Sequence, residues 1–292
     1  GQLGAMFARA AQQLGYRVVV WDQDQAAPAL RLADVKVTAP FEEAAAVEAF
    51  CGQVSAVTYE WENIPVELVC AVEQRVPVRP SSLVLEIIQA RIAQKVWLEA
   101  HGFPVPAFDV VESAAQFRGP STVGFPCLCK TARSGYDGKG QWKLVNKEEV
   151  PRVQSEMAGA RGTDRHSPPM RFVLEQFLNF QKELSCLVVR DARGRCCTYP
   201  VSENTHEHGI LRTSMVPALI DPGLEARVRA LSTEAVAALD GVGVFCVEWF
   251  LLSDGTVLIN EIAPRPHNSG HYTLDACSVS QFEQQVRTLC GL

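Results

Sequence analysis

The sequence has 292 residues, of which 47% are hydrophobic and 21% are charged, and its formal net charge is −6. This composition is typical of a globular protein with a core large enough for two or three domains. The negative charge argues against a nucleic-acid-binding surface, and no apolar run is long enough to span a membrane. Ten cysteines without a Cys-x-x-Cys pair, and no visible signal peptide, favour buried reduced thiols in a cytoplasmic protein.

The first hundred residues alternate short apolar strand candidates with helical stretches. The strand candidates are Arg17–Trp21, Val35–Val37, Ala56–Tyr59 and Val76–Val78. Such alternation predicts a parallel sheet with helices on its faces and ligands at the carboxyl ends of its strands. Polar residues at those ends are candidate ligand contacts, although capping and loop solvation explain them equally well; they are Gln2, Asp22, Glu60 and Glu62.

Two features mark the borders of this region. Gly1–Gly4 is a glycine turn that opens a helix, and such a turn normally follows a strand, so we expect that the first strand is missing from this sequence. Ser81 and Ser82 can cap one long helix from Leu83 to about His101. Gly102–Pro106 then predicts a linker into a second domain.

A glycine-rich segment, Gly135–Gln141, lies between the strand candidates Cys127–Lys130 and Trp142–Val145. Its backbone N–H groups can hold phosphate oxygens, with Lys130 and Lys139 adding positive charge. A plain hairpin loop is the alternative, but three glycines among basic residues make it the weaker reading. The segment has neither the Walker A spacing nor the helix that must follow it.

The middle of the chain offers weaker signals. Glu175–Leu178 ends an apolar strand, and Glu175 could accept from an adenine amine, although such runs more often belong to the core. His206 and His208 lack a nearby cysteine or third histidine in the sequence, which argues against zinc and favours a polar site wall. Pro222–Leu239 has the pattern of an amphipathic helix.

The strongest signal is a β-hairpin near the end, where two apolar strands flank Asp254-Gly255. If these two residues form the turn, counting outward places Glu248 opposite Glu261, with Asn260 beside them. Facing carboxylates repel each other, and a hard cation such as Mg²⁺ would relieve the repulsion. The alternative is a solvated hairpin with two unrelated acids. The donor-rich loop that follows, Ala263–His271, favours the metal site.

Taken together, these motifs resemble the ATP-grasp superfamily and, within it, the N5-carboxyaminoimidazole ribonucleotide synthase family. The resemblance covers essentially the whole chain, and the last motif is specific to that family. The motifs that carry it are Gly1–Gly4, Tyr59–Pro65, Gly135–Trp142, His206–Ser214 and Asn260–His271. The resemblance implies an α/β and α+β fold with a Rossmann-like domain at 1–102, an ATP-grasp lid at 103–175 and an incomplete C-terminal ATP-grasp domain at 176–292.

The resemblance also implies roles for individual residues. The implied ATP contacts are Arg91, Lys130, Gly135, Tyr136, Asp137, Gly138, Lys139, Gly140, Gln141, Glu175, Gln176, Phe177, Leu178, Glu183, His206, Asn260 and Glu261. The metal ligands would be Glu248 and Glu261. The catalytic residues, which would bind bicarbonate, are Arg265, His267 and Asn268. The nucleotide-substrate contacts would be Gln2, Glu62, Tyr136 and Asp137, with Asp22 and Glu60 as weaker choices.

The implied reaction converts ATP, bicarbonate and 5-aminoimidazole ribonucleotide into the N5-carboxylated ribonucleotide through carboxyphosphate, in purine biosynthesis. The cofactors would be ATP and Mg²⁺, with Mn²⁺ as a substitute, and family precedent favours a homodimer. A formate-dependent ATP-grasp transformylase and a nucleotide-binding fragment without turnover are the alternatives. The sequence departs from the pattern at Ser134, where a glycine is expected, and in the absent C-terminal segment, so we expect this fragment alone to carboxylate poorly or not at all.

Overall fold

The computed structural model describes residues 1–133, 140–159 and 170–292. The α-helices of these residues are α1 Gln2–Gln13, α2 Ala44–Cys51, α3 Val66–Glu73, α4 Ser82–Gln89, α5 Arg91–Ala100, α6 Val150–Gly159, α7 Pro222–Ala238, α8 Thr273–Ala276 and α9 Gln281–Cys290. The strands are β1 Val19–Trp21, β2 Val35–Val37, β3 Phe108–Val111, β4 Cys127–Thr131, β5 Gln141–Leu144, β6 Phe172–Gln176, β7 Phe180–Arg190, β8 Cys196–Thr198, β9 Ser202–Glu207, β10 Ile210–Met215, β11 Gly243–Leu252 and β12 Val257–Ala263.

The N-terminal region is an α/β layer, as the alternation of strands and helices predicts. Strand β1 pairs with β2 in parallel, and Val57 forms a parallel bridge with Val78. Helices α2 and α3 bury apolar side chains against these strands, including Phe50, Leu68 and Val72. The parallel arrangement brings the ends of β1 and of the segment around Tyr59 to one edge of the layer.

The region expected to form the lid contains a four-stranded antiparallel sheet in the order β3-β6-β4-β5, here called the lid sheet, and α6 packs on it. Gly140 closes the inner end of the β4–β5 hairpin, because its carbonyl accepts from the backbone N–H of Thr131 at 2.9 Å. Its φ is +68°, and a Cβ there would lie 2.9 Å from Oγ1 of Thr131, so this position requires glycine. Ser134 and the expected phosphate-binding residues Gly135, Tyr136, Asp137, Gly138 and Lys139 lie outside the described residues.

The largest sheet has the order β10-β9-β7-β11-β12, with β8 paired to β7. Helix α7 covers one face, and Asp221 caps it by accepting from the N–H groups of Gly223 and Leu224. Trp249 of β11 is 1% exposed beneath α7, and its indole N–H donates to Oγ of Ser232 at 3.0 Å. Because side chains alternate along a strand, Glu248 faces the other side of the sheet.

The long helix expected from Leu83 to about His101 is two helices, so that prediction is wrong. Ala90, between α4 and α5, is extended, with φ −106° and ψ 116°. The backbone N–H of Arg91 donates to the carbonyl of Ala132 in the lid at 3.0 Å. This hydrogen bond replaces the intrahelical one that Arg91 would make in a continuous helix. Apolar residues of both helices, including Val84 and Leu98, pack in the core of the largest sheet. This helix pair therefore joins the lid to the C-terminal region.

The turn of the β11–β12 hairpin also differs from the expectation. The N–H of Leu252 donates to the carbonyl of Thr256, and Gly255 donates back to Leu252, so the turn has three residues rather than two. Only Gly255 within it has a positive φ, +83°. A β-bulge then places Asn260 as an extra residue between the pairs Trp249–Ile259 and Glu248–Glu261. The bulge restores the predicted pairing of the two acids.

All ten cysteines are free thiols. Five are buried, but Cys197 and Cys290 are exposed, so the expectation of buried thiols is wrong for these two. Among the described residues, every helix is too short or too polar to cross a bilayer.

Candidate functional site

The site begins with Glu248 and Glu261, which lie directly opposite each other on adjacent antiparallel strands and so share one face. Burial, and then the charge of Glu248, raise the pKa of Glu261. Burial would also raise the pKa of Glu248, but the hydrogen bond from His267 lowers it; Nε2 of His267 lies 3.1 Å from Oε1 of Glu248. The two acids thus compete for ionisation, and a divalent cation between them would remove that competition.

Asn260 completes an oxygen-rich donor set. Because it is the bulge residue, it and Glu261 are consecutive half-buried residues rather than alternating ones. Its Nδ2 lies 3.4 Å from Oε2 of Glu248, which leaves its carbonyl oxygen available to a ligand. Two carboxylates and an amide oxygen are hard donors of the kind that Mg²⁺ prefers, so the residues present fit this ion.

Cationic side chains lie across the pocket from the acids. Lys130 of β4 and Lys95 of α5 both bind the buried Glu175 of β6: the Nζ–Oε distances are 2.7 Å and 3.2 Å. Burial opposes ionisation of Glu175, but Lys130 and then Lys95 lower its pKa to about 2. Burial lowers the pKa of Lys95 despite the attraction of Glu175. One carboxylate shared by two lysines leaves an excess positive charge where a phosphate could bind.

Helix α5 fixes the distance between these two halves of the site. On the side of α5 that faces the lid, Lys95 forms its ion pair with Glu175. One residue earlier, the side chain of Gln94 accepts from the N–H of Ile262 at 2.8 Å and donates to its carbonyl at 3.1 Å. Ile262 follows Glu261, so the same helix turn positions both the lysine cluster and the acid pair.

The loop after β12 approaches the N-terminal region. Nε and Nη2 of Arg265 lie 3.2 Å and 3.3 Å from the two carboxylate oxygens of Glu62, which is a two-pronged ion pair. Burial opposes the charge of Arg265, but Glu62 raises the pKa of the guanidinium. His267 is held through its backbone: its N–H donates to Oε1 of Gln281 and its carbonyl accepts from Nε2, each at 2.8 Å.

The expected ligand residues fall into two neighbouring spaces. One pocket is lined by the ATP and metal candidates Arg91, Lys130, Glu175, Asn260 and Glu261, and also by the nucleotide-substrate candidate Glu62. A second cavity, of about 1120 Å³, is lined by the nucleotide candidates Gln2, Asp22 and Glu60 together with Asn268. Glu62, which lines the first pocket, forms its ion pair with Arg265 of the loop after β12.

Other expected contacts lie around these spaces. Nδ1 of His206 is 2.7 Å from Oε2 of Glu183, and this hydrogen bond raises the pKa of the imidazole. Glu175 is followed by Gln176, Phe177 and Leu178 at the end of the inner strand β6, where the N–H of Phe177 donates to the carbonyl of Pro126. Gln141 is exposed and pairs with Lys130 on the neighbouring strand.

Two residues of the site, Lys95 and Gln94, were not predicted from the sequence. Both are buried polar residues, 2% and 5% exposed. Lys95 follows Arg91 by four positions in α5, so both lie on one helix face; that spacing was the available signal.

Comparison with known proteins identifies the family of this chain. A family model for the ATP-grasp domain matches residues 96–282, and one for the ribonucleotide synthetase preATP-grasp domain matches residues 1–89. The N5-carboxyaminoimidazole ribonucleotide synthase of Bacillus subtilis (strain 168) is 38% identical over 293 residues, which cover 100% of this chain and 74% of the relative.

Solved structures agree with the sequence matches. The synthetase from Thermus thermophilus has a TM-score of 0.89 at 36% identity, covering 100% of this chain and 77% of that one. The Aspergillus clavatus synthase in complex with ADP and 5-aminoimidazole ribonucleotide has a TM-score of 0.87 at 30% identity, covering 100% and 75%. The chain belongs to the N5-carboxyaminoimidazole ribonucleotide synthase family of ATP-grasp carbon–nitrogen ligases, which carboxylates 5-aminoimidazole ribonucleotide in purine biosynthesis.

Proposed function

We propose that the full-length protein performs that carboxylation with bicarbonate in two steps, using the site that this chain contains. A bicarbonate oxygen attacks the γ-phosphorus of ATP, the bond to ADP breaks, and carboxyphosphate forms. The exocyclic amine of 5-aminoimidazole ribonucleotide then attacks the carbonyl carbon, phosphate leaves, and the amine loses a proton. The observation that carries the proposal is the facing pair Glu248 and Glu261 beside the Lys130–Glu175–Lys95 cluster.

ATP would lie between the lid and the largest sheet, with its phosphates against Lys130 and Arg91 and near Lys95. Both oxygens of Glu175 are bound by lysines, so we assign it the positioning of Lys130 rather than the reading of the adenine amine. The backbone of Gln176–Leu178 would then contact the adenine edge. His206 and Glu183 would contact ATP as a hydrogen-bonded pair. Phosphoryl transfer depends mainly on such positioning and charge neutralisation.

Glu248, Glu261 and the carbonyl oxygen of Asn260 would hold Mg²⁺, or Mn²⁺ in its place. The ion supplies charge neutralisation at the phosphates when bound. The chain's own contribution is to keep both carboxylates on one sheet face, where burial, and then the charge of Glu248, raise the pKa of Glu261.

Arg265, His267 and Asn268 would bind bicarbonate. The guanidinium of Arg265 offers a planar fork to a planar anion, and Glu62 fixes its orientation. Burial lowers the pKa of His267, but Cys246 and Glu248 raise it well above its ordinary value, so the imidazolium can stabilise an anion. The aminoimidazole nucleotide would contact Gln2 and Glu62 from the N-terminal region; Tyr136 and Asp137, proposed for the same role, lie outside the described residues.

The decisive test is ADP release by the full-length protein with Mg²⁺ and ATP. We expect release that requires bicarbonate and is stimulated by 5-aminoimidazole ribonucleotide, with the N5-carboxylated product detected by mass spectrometry. Stimulation by formate and glycinamide ribonucleotide instead would indicate a transformylase. Tight Mg²⁺–ATP binding without phosphate release, at saturating substrates, would indicate a nucleotide-binding fragment and would reject the proposal.

We also propose that the protein is a cytoplasmic homodimer. Ten free thiols suit a reducing compartment, and family precedent supports the dimer. Light scattering coupled to size-exclusion chromatography tests the dimer, because a mass near the 32.0 kDa of one chain would contradict it.

A further inference from the structure

A third side chain lies beside Glu248 and His267. Cys246 precedes Glu248 by two residues on β11, so both side chains emerge on the same face of the sheet. Sγ of Cys246, a carboxylate oxygen of Glu248 and a ring nitrogen of His267 all lie within 4.8 Å of one another. In the part of the chain that the structure describes, no other three such groups converge in this way.

The surroundings hold these three groups in place. Oγ of Ser269 lies 2.9 Å from Nδ1 of His267, which leaves Nε2 directed at Glu248. The same hydroxyl lies 3.8 Å from Sγ of Cys246. Gln281 binds the backbone of His267 on both sides. Contacts of this kind, from a ligand's second nitrogen and its backbone, fix the geometry of metal-binding histidines.

The donor chemistry differs from that of the neighbouring acid pair. A thiolate and an imidazole are softer ligands than carboxylate and amide oxygens, and together with one carboxylate they favour Zn²⁺ over Mg²⁺. Three protein ligands leave a fourth tetrahedral position open to water or an anion. Glu248 belongs to both donor sets, so one ion there would affect the other.

We propose that Cys246, Glu248 and His267 form a binding site for Zn²⁺, and that its occupation inhibits the ligase. The inhibitory part rests on the proposed function, because Zn²⁺ would withdraw Glu248 from the Mg²⁺ site and His267 from bicarbonate. The binding part stands on the ligand geometry alone. Cys246 is assigned no contact with ATP, bicarbonate or Mg²⁺, and its strand neighbours Leu187 and Ala263 are apolar and buried with it.

Binding can be measured with Co²⁺ as a spectroscopic substitute for Zn²⁺. We expect one equivalent of Co²⁺ to produce the near-ultraviolet thiolate-to-cobalt charge-transfer band, and one equivalent of Zn²⁺ to abolish it. Cys246→Ala should remove the band. Cys186→Ala is the matched control, because this equally buried thiol of β7 lies in the core beneath α7; Cys197→Ala controls for an exposed thiol. Both should keep the band. No band in the natural chain, or one that persists in Cys246→Ala, would overturn the site.

The inhibition is measured by ADP release at saturating Mg²⁺ and ATP with increasing Zn²⁺. We expect the half-inhibiting Zn²⁺ concentration to rise about 10-fold or more in Cys246→Ala, when the ADP release of each protein is expressed relative to its own rate before Zn²⁺ is added. Equal inhibition of the natural chain and the variant would refute the regulatory role. An active ligase without the cobalt band overturns this inference alone, whereas a cobalt band in a chain that releases no ADP supports the metal site and counts against the proposed function.

Discussion

Nζ of Lys95 lies 3.2 Å from Oε1 of Glu175, and this buried ion pair joins helix α5 to strand β6 of the lid. Lys130 binds the other oxygen of the same carboxylate at 2.7 Å. The cluster therefore contains two cations and one anion. Removing the carboxylate would leave two buried charges unpaired, whereas removing one lysine would leave an intact ion pair.

The cluster predicts that Glu175→Gln destabilises the fold more than Lys95→Met does. The first variant leaves two lysines without their carboxylate and should cost about 3–5 kcal/mol in the free energy of unfolding. The second leaves the Lys130–Glu175 pair intact and should cost about 1–3 kcal/mol. Urea unfolding measures both. Lys182→Met, in the half-exposed pair with Glu203, is the control and should cost at most about 1 kcal/mol. The reverse order for the first two would contradict the shared-carboxylate arrangement.

The acid pair predicts opposite effects of Glu261→Gln on the free and the liganded protein. Without Mg²⁺ the substitution removes a repulsion with Glu248, so the melting temperature should stay the same or rise. With Mg²⁺ and ATP, most of the stabilisation shown by the natural chain should vanish. Differential scanning fluorimetry gives both values, and Glu234→Gln on the exposed side of α7 is the control. A variant that keeps the full ligand-induced shift would show that Glu261 is not a metal ligand.

The fork between Arg265 and Glu62 predicts that Arg265→Lys impairs chemistry more than ATP binding. Lysine keeps the charge but cannot make two parallel contacts, so kcat should fall about 10²-fold. ATP affinity, measured by calorimetry, should change little. Arg193→Lys in the exposed β7–β8 loop serves as the control. Loss of ATP affinity with no further loss of kcat would move Arg265 from the bicarbonate site to the nucleotide site.

Glu60 predicts a pH-dependent stability. Burial raises the pKa of its carboxyl group to about 8, against the attraction of Arg265. Neither carboxylate oxygen has a hydrogen-bond partner among the described residues. Between the ordinary carboxyl pKa and about 8 the folded chain binds more protons than the unfolded chain, so the free energy of unfolding falls as the pH rises.

Glu60→Gln should remove this dependence. Its stability relative to the natural chain should grow by up to about 1.4 kcal/mol per pH unit through that window. Denaturant unfolding at several pH values is the measurement, and Glu67→Gln, exposed in α3, should leave the slope unchanged. A natural chain whose stability is flat over this range would show that Glu60 is hydrated when folded.

The three-residue turn predicts that Gly255→Ala lowers the free energy of unfolding by about 1–2 kcal/mol, because an L residue is strained at a φ of +83°. The added Cβ itself would have no atom within 4 Å, so the effect would come from backbone strain alone. Gly52→Ala is the control, since Gly52 has a φ of −66° and only ordinary contacts. Thermal unfolding compares them. Equal stability of both variants would argue against the left-handed position.

Local patterns in the sequence predicted much of this fold. Alternation identified the N-terminal α/β layer, and apolar runs identified the lid strands and both strands of the acid hairpin. The break at Ala90 could not be foreseen, because the hydrogen bond from Arg91 that favours it reaches Ala132, far along the chain in the lid. The turn was misjudged because an Asp-Gly pair suits two- and three-residue loops alike.

The sequence predicted those site residues that lie within motifs and not those that lie alone. Glu261 and Arg265 belong to a recognisable polar loop, whereas Lys95 lies alone in an amphipathic helix and resembles a solvated surface residue until Glu175 is placed against it. The proximity of Cys246 to His267 could not be predicted for the same reason. A cysteine within an apolar strand is interpreted as a core residue, and only the tertiary structure brings His267 close to it.

The bulge at Asn260 has a consequence for how such enzymes can vary over evolutionary time. One surplus residue in β12 cancels the one surplus residue in the turn, so the same two acids meet as they would across a tighter loop with a regular ladder. We therefore expect that this loop can lengthen or shorten without disturbing the pairing of Glu248 with Glu261, provided that a compensating insertion or deletion occurs farther down the same strand. Alignments that penalise such paired changes would misplace these two facing acids in distant homologues.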